Sequence, residues 1–281
     1  MWKSIARSAV GTSHLSSNLP CQDFGKYLIL DEGAGIAGAV ADGAGSAKLS
    51  EIGARCAVET ALEFIKTYRL TSGSSDGSDD IAVFKSIGNL FGKQSKKESR
   101  TLEEVAEKFF SDLTKVVIQV LKEKAEELGA ELGDLACTLV AFVATPDYVV
   151  AMQIGDGFLV VRQDKKQDYE LMFEPDKGEY ANETTFVTSS SALKEMQVKA
   201  VKGNCDFICA STDGLERLAI RVSDWMPFPP FFKPLEEFLT ETPDPEQDDE
   251  YILSFLNSER LNAKTDDDKT LLICLDIPVP S

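Results

Sequence analysis

Gly38-Ala-Val-Ala-Asp42-Gly43-Ala-Gly45-Ser-Ala-Lys48-Leu-Ser-Glu-Ile-Gly53 is the stretch whose reading decides the fold. Its small apolar start predicts a strand that ends abruptly on Asp42. Gly43 and Gly45 follow, so the backbone there can bend freely and approach a ligand without side-chain interference. A helical pattern opens near Ser46 or Lys48. A carboxylate delivered from a strand end into a glycine turn suits a hard metal ion or a phosphate, since both need oxygen or amide groups at short range. Taken alone, the stretch fits a metal site, a phosphate cradle or a plain tight turn.

Upstream, Ser4 to Val10 reads as a first strand and Leu15 to Pro20 as a polar loop that delivers Cys21-Gln22-Asp23. Tyr27 to Leu30 and Ile36 to Ala41 are short apolar runs joined by Asp31 to Gly35, the pattern of a hairpin. Gly33-Ala-Gly35-Ile-Ala-Gly38 satisfies G-x-G-x-x-G, but a dinucleotide site needs a helix to open from it and here a strand follows. Lys48 lacks the Gly-Lys-Ser/Thr context of a Walker loop. A nucleotide-dependent enzyme rests on these glycines alone.

Downstream, Ile52, Cys56, Ala57, Ala61, Phe64 and Ile65 recur at helical spacing through about Tyr68. Residues 71–100 are rich in Ser, Gly, Asp and charge, and read as a mobile loop interrupted by the apolar segment Ile81 to Phe91. Thr101 with Glu104 forms a capping-box signal for a long helix whose apolar stripe runs from Val105 to Leu128 and stops at Gly129. Cys137 to Ala144, Tyr148 to Ile154 and Phe158 to Arg162 then read as an antiparallel meander. Thr185 to Thr188, Gln197 to Val201 and Asp206 to Ala210 continue the strands. Leu215 to Val222 and Tyr251 to Leu261 read as helices, Met226 to Pro234 is rich in Phe and Pro, and Thr270 to Leu275 is a last strand.

Composition removes several function classes. With 29 basic against 47 acidic residues the formal charge is -18, which argues against nucleic acid as a partner because phosphate backbones must be neutralised by Lys and Arg. Behind Met1 there is no long apolar segment, so neither a secretory signal nor a membrane span is expected, and the protein reads as soluble and cytoplasmic. The six cysteines are scattered without Cys-x-x-Cys spacing and read as reduced thiols. His14 is the one histidine, which excludes zinc hydrolases built on several His ligands.

Aspartates recur beside apolar runs. Asp42-Gly43 and Asp213-Gly214 each follow a strand, Gly155-Asp156-Gly157 is a turn, and Asp266-Asp267-Asp268 precedes the last strand. Any one of them is an ordinary turn residue. Converging on one sheet edge, they would repel each other unless cations were bound, and oxygen ligation favours magnesium or manganese over zinc. Two such ions can activate a shared water for in-line attack on a phosphoryl group, with no side-chain nucleophile required.

The ordered set of Gly11 with His14, Cys21-Gln22-Asp23, Val40 to Gly45, Ala136-Cys-Thr138, Gly155-Asp156-Gly157, Ser211-Thr-Asp213-Gly214 and Asp267-Asp-Lys-Thr270 resembles the metal-dependent protein phosphatases of the type 2C class, and more closely their divergent bacterial branch. The resemblance spans almost the whole chain. It implies an α+β fold, a four-layer α-β-β-α sandwich of two antiparallel sheets flanked by helices, in a single domain over residues 1–281.

It also implies a serine/threonine phosphoprotein phosphatase acting through a metal-bridging hydroxide on two Mg2+ or Mn2+ ions. Asp42 would bridge the ions, with the Gly43 carbonyl on one and Asp213 and Asp267 on the other. Asp23 would hold metal-bound water, and Asp156 would serve a third ion. A phosphoprotein substrate, a cognate serine/threonine kinase and a monomeric state accompany this expectation.

Two departures from the family pattern stand out. Gln22 replaces the acid of the usual Glu-Asp pair, and Asn18 aligns with the arginine that commonly grips substrate phosphate. His14, Arg7 and Arg55 are the substitutes, with His14 preferred for its place in the N-terminal motif. The same departures support an alternative, a non-catalytic or weakly active phosphoprotein- or metal-binding regulatory module on the same scaffold.

Overall fold

Apolar residues alternate between two destinations along almost every long strand, and that alternation builds four layers. The computed structural model describes residues 1–73, 101–163, 168–173 and 184–277. In chain order, β1 (Trp2–Ala9) leads through α1 (Thr12–Ser17) to the pair β2 (Phe24–Leu30) and β3 (Gly35–Ala41), and then to the helices α2 (Ser50–Gly73) and α3 (Leu102–Leu128). Next come β4 (Leu139–Ala144), β5 (Tyr148–Ile154), β6 (Phe158–Arg162), β7 (Glu170–Leu171), α4 (Ala192–Glu195), β8 (Gln197–Lys202) and β9 (Phe207–Ser211). After β9 follow α5 (Glu216–Ala219), the ribbon β10 (Ile220–Arg221) and β11 (Met226–Pro227), the helices α6 (Pro229–Glu241), α7 (Glu250–Leu256) and α8 (Glu259–Asn262), and β12 (Lys269–Asp276).

Two five-stranded sheets result, in the orders β1-β12-β9-β6-β7 and β2-β3-β4-β5-β8, and every paired strand is antiparallel to its neighbour. On β4, Leu139, Ala141 and Val143 face α2 and α3, while Val140, Phe142 and Ala144 face the other sheet. On β12, Leu272 and Cys274 meet them across the sandwich, and Leu271, Ile273 and Leu275 face α6, α7 and α8. This period of two, apolar on both faces, is what a sheet buried on both sides requires. Each fully buried Leu, Ile or Phe contributes about 1.5–3 kcal/mol of burial free energy.

The expected sandwich, the β2–β3 hairpin and the capping box are all present. The Thr101 side chain accepts from the Glu104 N–H and the Glu104 carboxylate accepts from the Thr101 N–H, while Gly129 caps the far end of α3 in a left-handed conformation. In the G-x-G-x-x-G stretch no helix opens from the glycines. A Cβ on Gly38 would lie 2.5 Å from atoms of Leu272 and Phe142, so this glycine lets the two sheets close together.

Several local expectations are corrected. The meander is broken: β4 and β5 pair, but β6 crosses to the other sheet and pairs with β9, so Gly155-Asp156-Gly157 is a switch between sheets. Residues 185–188 form no strand, although the Val187 N–H reaches the Cys137 carbonyl. The polar loop after β1 begins as α1, because the Ser13 N–H and hydroxyl are both held by the Asp266 carbonyl, at 3.0 and 2.7 Å. The single helix expected over Tyr251 to Leu261 is two short ones, broken where the Ser258 side chain caps α8. The Phe- and Pro-rich stretch opens α6 with prolines in its first turn, where a missing N–H costs nothing. Of the expected mobile segment 71–100, α2 takes the first three residues, and the remainder lies outside the described residues.

Candidate metal centre and active site

Strand register decides where the acids fall. Val40 pairs with Val140, and the same register carried two residues further sets Asp42 beside Thr138. There the Asp42 N–H donates to Thr138 Oγ1 at 2.9 Å and the Thr138 N–H donates to the Asp42 carbonyl at 2.8 Å. Phe24 pairs with Ala41, so Asp23 enters β2 next to the point where Asp42 leaves β3. Ser211 pairs with both Leu271 and Phe158. Asp213 beyond β9, Asp267 before β12 and Asp156 before β6 therefore share one end of the sandwich with Asp42 and Asp23.

Asp42, Asp156 and Asp213 each present a carboxylate oxygen within 4.8 Å of the others. Asp23 is buried, and its carboxyl group lies against that of Asp42. Burial, and then the charges of Asp23 and Asp213, push Asp42 far above the usual carboxylate range. Burial also raises Asp23, against the opposing hydrogen bond from Thr212. Asp213 is pushed up to about 7 by burial and then by Asp156, Asp267 and Asp23, and Asp267 is raised chiefly by burial. A group of acids this reluctant to ionise is one whose charge a divalent cation would relieve.

The donors fit such an ion. All are oxygens, which suits Mg2+ or Mn2+. The Gly43 N–H donates to the Gln22 carbonyl at 3.1 Å, while the Gly43 carbonyl accepts no hydrogen bond among the described residues. A Cβ at Gly43 would sit 2.7 Å from Ser50 Cβ and 2.8 Å from the Gln22 carbonyl oxygen, so only glycine fits this close turn. Gln22 Oε1 is buried without a partner, a further oxygen free to meet an ion or its water.

Hydroxyls and one more acid hold the cluster in place. Thr212 Oγ1 donates to Asp23 Oδ2 at 2.6 Å and accepts from the Thr270 N–H at 3.0 Å. Thr184 Oγ1 donates to Asp156 Oδ2 at 2.7 Å. Asp268, 1% exposed, accepts from the Gly11 N–H at 2.6 Å, from the Gln22 N–H at 2.5 Å and, through the same oxygen as Gln22, faces His14 Nδ1 at 2.9 Å. Lys269 is fully buried, and its ammonium donates to Asn262 Oδ1 at 3.1 Å and to the Asp267 carbonyl at 3.2 Å.

Among the basic groups the sequence offered for phosphate, only His14 reaches this loop. Arg7 is committed to Asp249 and Glu246, each at 2.7 Å, and the Arg55 guanidinium lies 4.1 Å above the Phe24 ring. Asn18 is exposed at the left-handed C-cap of α1, which explains an asparagine there. Sequence reasoning assigned no role to Thr138, Thr212, Thr184 and Asp268. For Thr212 and Asp268 the available signal was a hydroxyl or acid directly beside an aspartate motif, in Ser-Thr212-Asp and Asp267-Asp268, whereas Thr138 and Thr184 have no aspartate next to them in sequence.

Comparison with known proteins agrees with this geometry. The family model described as Protein phosphatase 2C matches residues 10–252. The chain is 32% identical over 279 residues to Serine/threonine-protein phosphatase 3 of Escherichia coli (strain K12), covering 98% of each. In fold it is similar to a bacterial serine phosphatase variant (TM-score 0.58, 12% identity, 100% of both chains) and to the serine/threonine phosphatase Stp1 from Staphylococcus aureus (TM-score 0.56, 12% identity, 99% of this chain and 96% of that one). The chain belongs to the protein phosphatase 2C family, a family of serine/threonine protein phosphatases.

Proposed function

We propose that this chain hydrolyses phosphoserine and phosphothreonine in proteins with the help of two Mg2+ or Mn2+ ions. The observation that carries the proposal is the convergence of Asp42, Asp156 and Asp213 within 4.8 Å, with the Asp23 carboxyl against Asp42. Asp42, the Gly43 carbonyl, Asp213 and Asp267 would hold the two ions, and Asp156, the exposed member of the cluster, would serve a third. When bound, such ions balance phosphoryl charge and acidify water, which a chain with one histidine must obtain from outside its side chains.

The protein's own part is positioning. Asp23, fixed by the Thr212 hydroxyl, is the acceptor that orients the attacking water. His14, fixed by Asp268, is the basic side chain beside the phosphoryl group. Thr138 holds the backbone of Asp42 so that its carboxylate leaves the strand at a set angle. A cytoplasmic monomer acting opposite a serine/threonine kinase completes the proposal. Among the described residues no helix is long and apolar enough to cross a membrane.

The test is hydrolysis of p-nitrophenyl phosphate and of a phosphoserine peptide with Mn2+ present and after chelation, beside calorimetric Mn2+ titration. Metal-dependent turnover of both substrates is expected. Mn2+ binding without turnover would replace the phosphatase by the regulatory module.

A further inference from the structure

His14 and Gln22 meet at one atom. The Gln22 N–H donates to Oδ2 of the buried Asp268 at 2.5 Å, and His14 Nδ1 faces the same oxygen at 2.9 Å. The residues between them, Leu15 to Cys21, therefore form a loop whose two ends close on the acidic end of the sandwich. Its base is held again where Gly11 packs on the Asp267 backbone and Ser13 meets the Asp266 carbonyl. The loop also braces itself. The Leu19 N–H donates to the His14 carbonyl at 2.9 Å, the Asn18 N–H donates to the Leu15 carbonyl at 3.3 Å, and left-handed Asn18 turns the chain back. Yet Leu15 to Pro20 are all exposed, Leu15 by 62% and Leu19 by 45%, and neither leucine joins the apolar cores formed by the described residues. No charged residue occurs from Leu15 to Cys21, whereas Asp156, Asp266 and Asp267 leave exposed acid elsewhere at this end of the molecule.

We propose that Leu15 and Leu19 are specificity-determining residues, which receive an apolar side chain next to the phosphoserine or phosphothreonine of the substrate. This deepens the phosphatase proposal and rests on it. A phosphorylated residue within a polypeptide reaches the acid cluster only with its neighbours laid across the rim of the site. The loop is part of that rim, because both its ends are fixed there. Covering two exposed leucines removes apolar surface from water, and a loop already braced has little freedom left to lose when the substrate settles on it. An acidic neighbour would find no cation between Leu15 and Cys21 and would face Asp156, Asp266 and Asp267. Apolar contact is what this wall of the site has to offer.

The experiment measures kcat and KM at saturating Mn2+ on p-nitrophenyl phosphate and on two phosphoserine peptides. The peptides differ only in the residues directly before and after the phosphoserine, leucine in one and alanine in the other. The wild type is expected to favour the leucine peptide by about 10-fold in kcat/KM, the low end for apolar discrimination, and chiefly through KM. Leu15→Ser combined with Leu19→Ser is expected to shrink that preference to less than about 2-fold, while hydrolysis of the aryl phosphate, which has no flanking residues, keeps its wild-type rate. Leu15→Met combined with Leu19→Met should restore the preference. Thermal unfolding of both double variants should match the wild type, since both leucines are exposed. A wild type indifferent to the flanking residues or active on the aryl phosphate alone, a serine variant that keeps the preference, or an equal loss on all three substrates would each overturn the role of the leucines while leaving a phosphatase. A wild type inactive on all three would overturn the phosphatase and this role together.

Discussion

Thr212 Oγ1 donates to Asp23 Oδ2 at 2.6 Å and at the same time accepts from the Thr270 N–H at 3.0 Å, so one hydroxyl fastens a buried acid of β2's entry to two strands of the opposite sheet. The bond crosses the mouth of the sandwich, 189 residues apart in sequence. Thr212→Val keeps the shape and removes the hydroxyl, leaving Asp23 and the Thr270 N–H each short of a partner. A loss of about 1–3 kcal/mol in stability is expected, with a fall in kcat of at least about 10-fold as Asp23 swings free. Thr212→Ser should restore both. Denaturant unfolding and steady-state kinetics measure the two effects, and a fully active Thr212→Val would remove Asp23 from its proposed role.

Asp42→Asn and Asp213→Asn should each cost Mn2+-dependent turnover about 100-fold or more, because an ion-holding oxygen is lost where charge is balanced in the transition state. Asp156→Asn should be milder, raising the Mn2+ concentration needed for half-maximal rate, since Asp156 is exposed and already tied to Thr184. Full activity in either of the first two variants would sink the proposed metal centre.

Stability of the metal-free protein should carry the opposite sign. The Asp213 carboxyl titrates at about 7 in the fold against 3.8 when unperturbed, raised by burial and neighbouring acids. A folded value above the unfolded one means that its contribution is full below about pH 4 and disappears as pH rises through the folded value. In chelator, the wild type should therefore lose thermal stability from about pH 4 to about pH 7 more steeply than Asp213→Asn, which has no proton to lose. Added Mn2+ should reverse the order at neutral pH. A parallel pair of pH profiles would contradict the charge-repulsion account of the site.

Gly214→Ala tests how tightly the site is built. A Cβ there would lie 2.0 Å from the Asp268 carbonyl oxygen, and backbone has no easy way to give. Destabilisation of at least about 1–3 kcal/mol is expected, together with loss of turnover, read by urea unfolding and by activity per folded molecule.

Far from the metal centre, Arg162 joins Asp206 at 3.0 Å and Glu236 at 2.7 Å and carries almost no exposed surface. Arg162→Met strands two acids and should cost about 3–5 kcal/mol of stability. Below the melting transition the Mn2+ affinity and kcat of the folded fraction should stay unchanged. A selective loss of turnover would mean that this network reaches the active site.

Much of the layer structure was legible in residue pattern. β4 throughout and β12 from Leu271 to Leu275 are apolar at every position, because both faces are covered, and the capping box from Thr101 to Glu104 marked the start of α3. What pattern could not show is which sheet a strand joins. The Gly155-Asp156-Gly157 turn looks like a hairpin in sequence, and only pairing of Phe158 with Ser211 reveals the crossing between sheets. Likewise α1 owes its helix to Asp266, 253 residues away from Ser13, a partner that no local propensity records.

The sequence by itself determined the chemistry available: oxygen donors from aspartates beside glycines at strand ends, one histidine, no Cys-x-x-Cys pairs, and a formal charge of -18. Tertiary structure alone decided the geometry. Antiparallel register carried Asp23, Asp42, Asp156, Asp213 and Asp267 to one end of the sandwich, and the buried Asp268 drew His14 rather than Arg7 or Arg55 to that end. The physical reason is that residue type fixes what an atom can bind. Which atoms meet is fixed by pairings between strands tens to hundreds of residues apart, and those exist only once the two sheets have closed on their shared core.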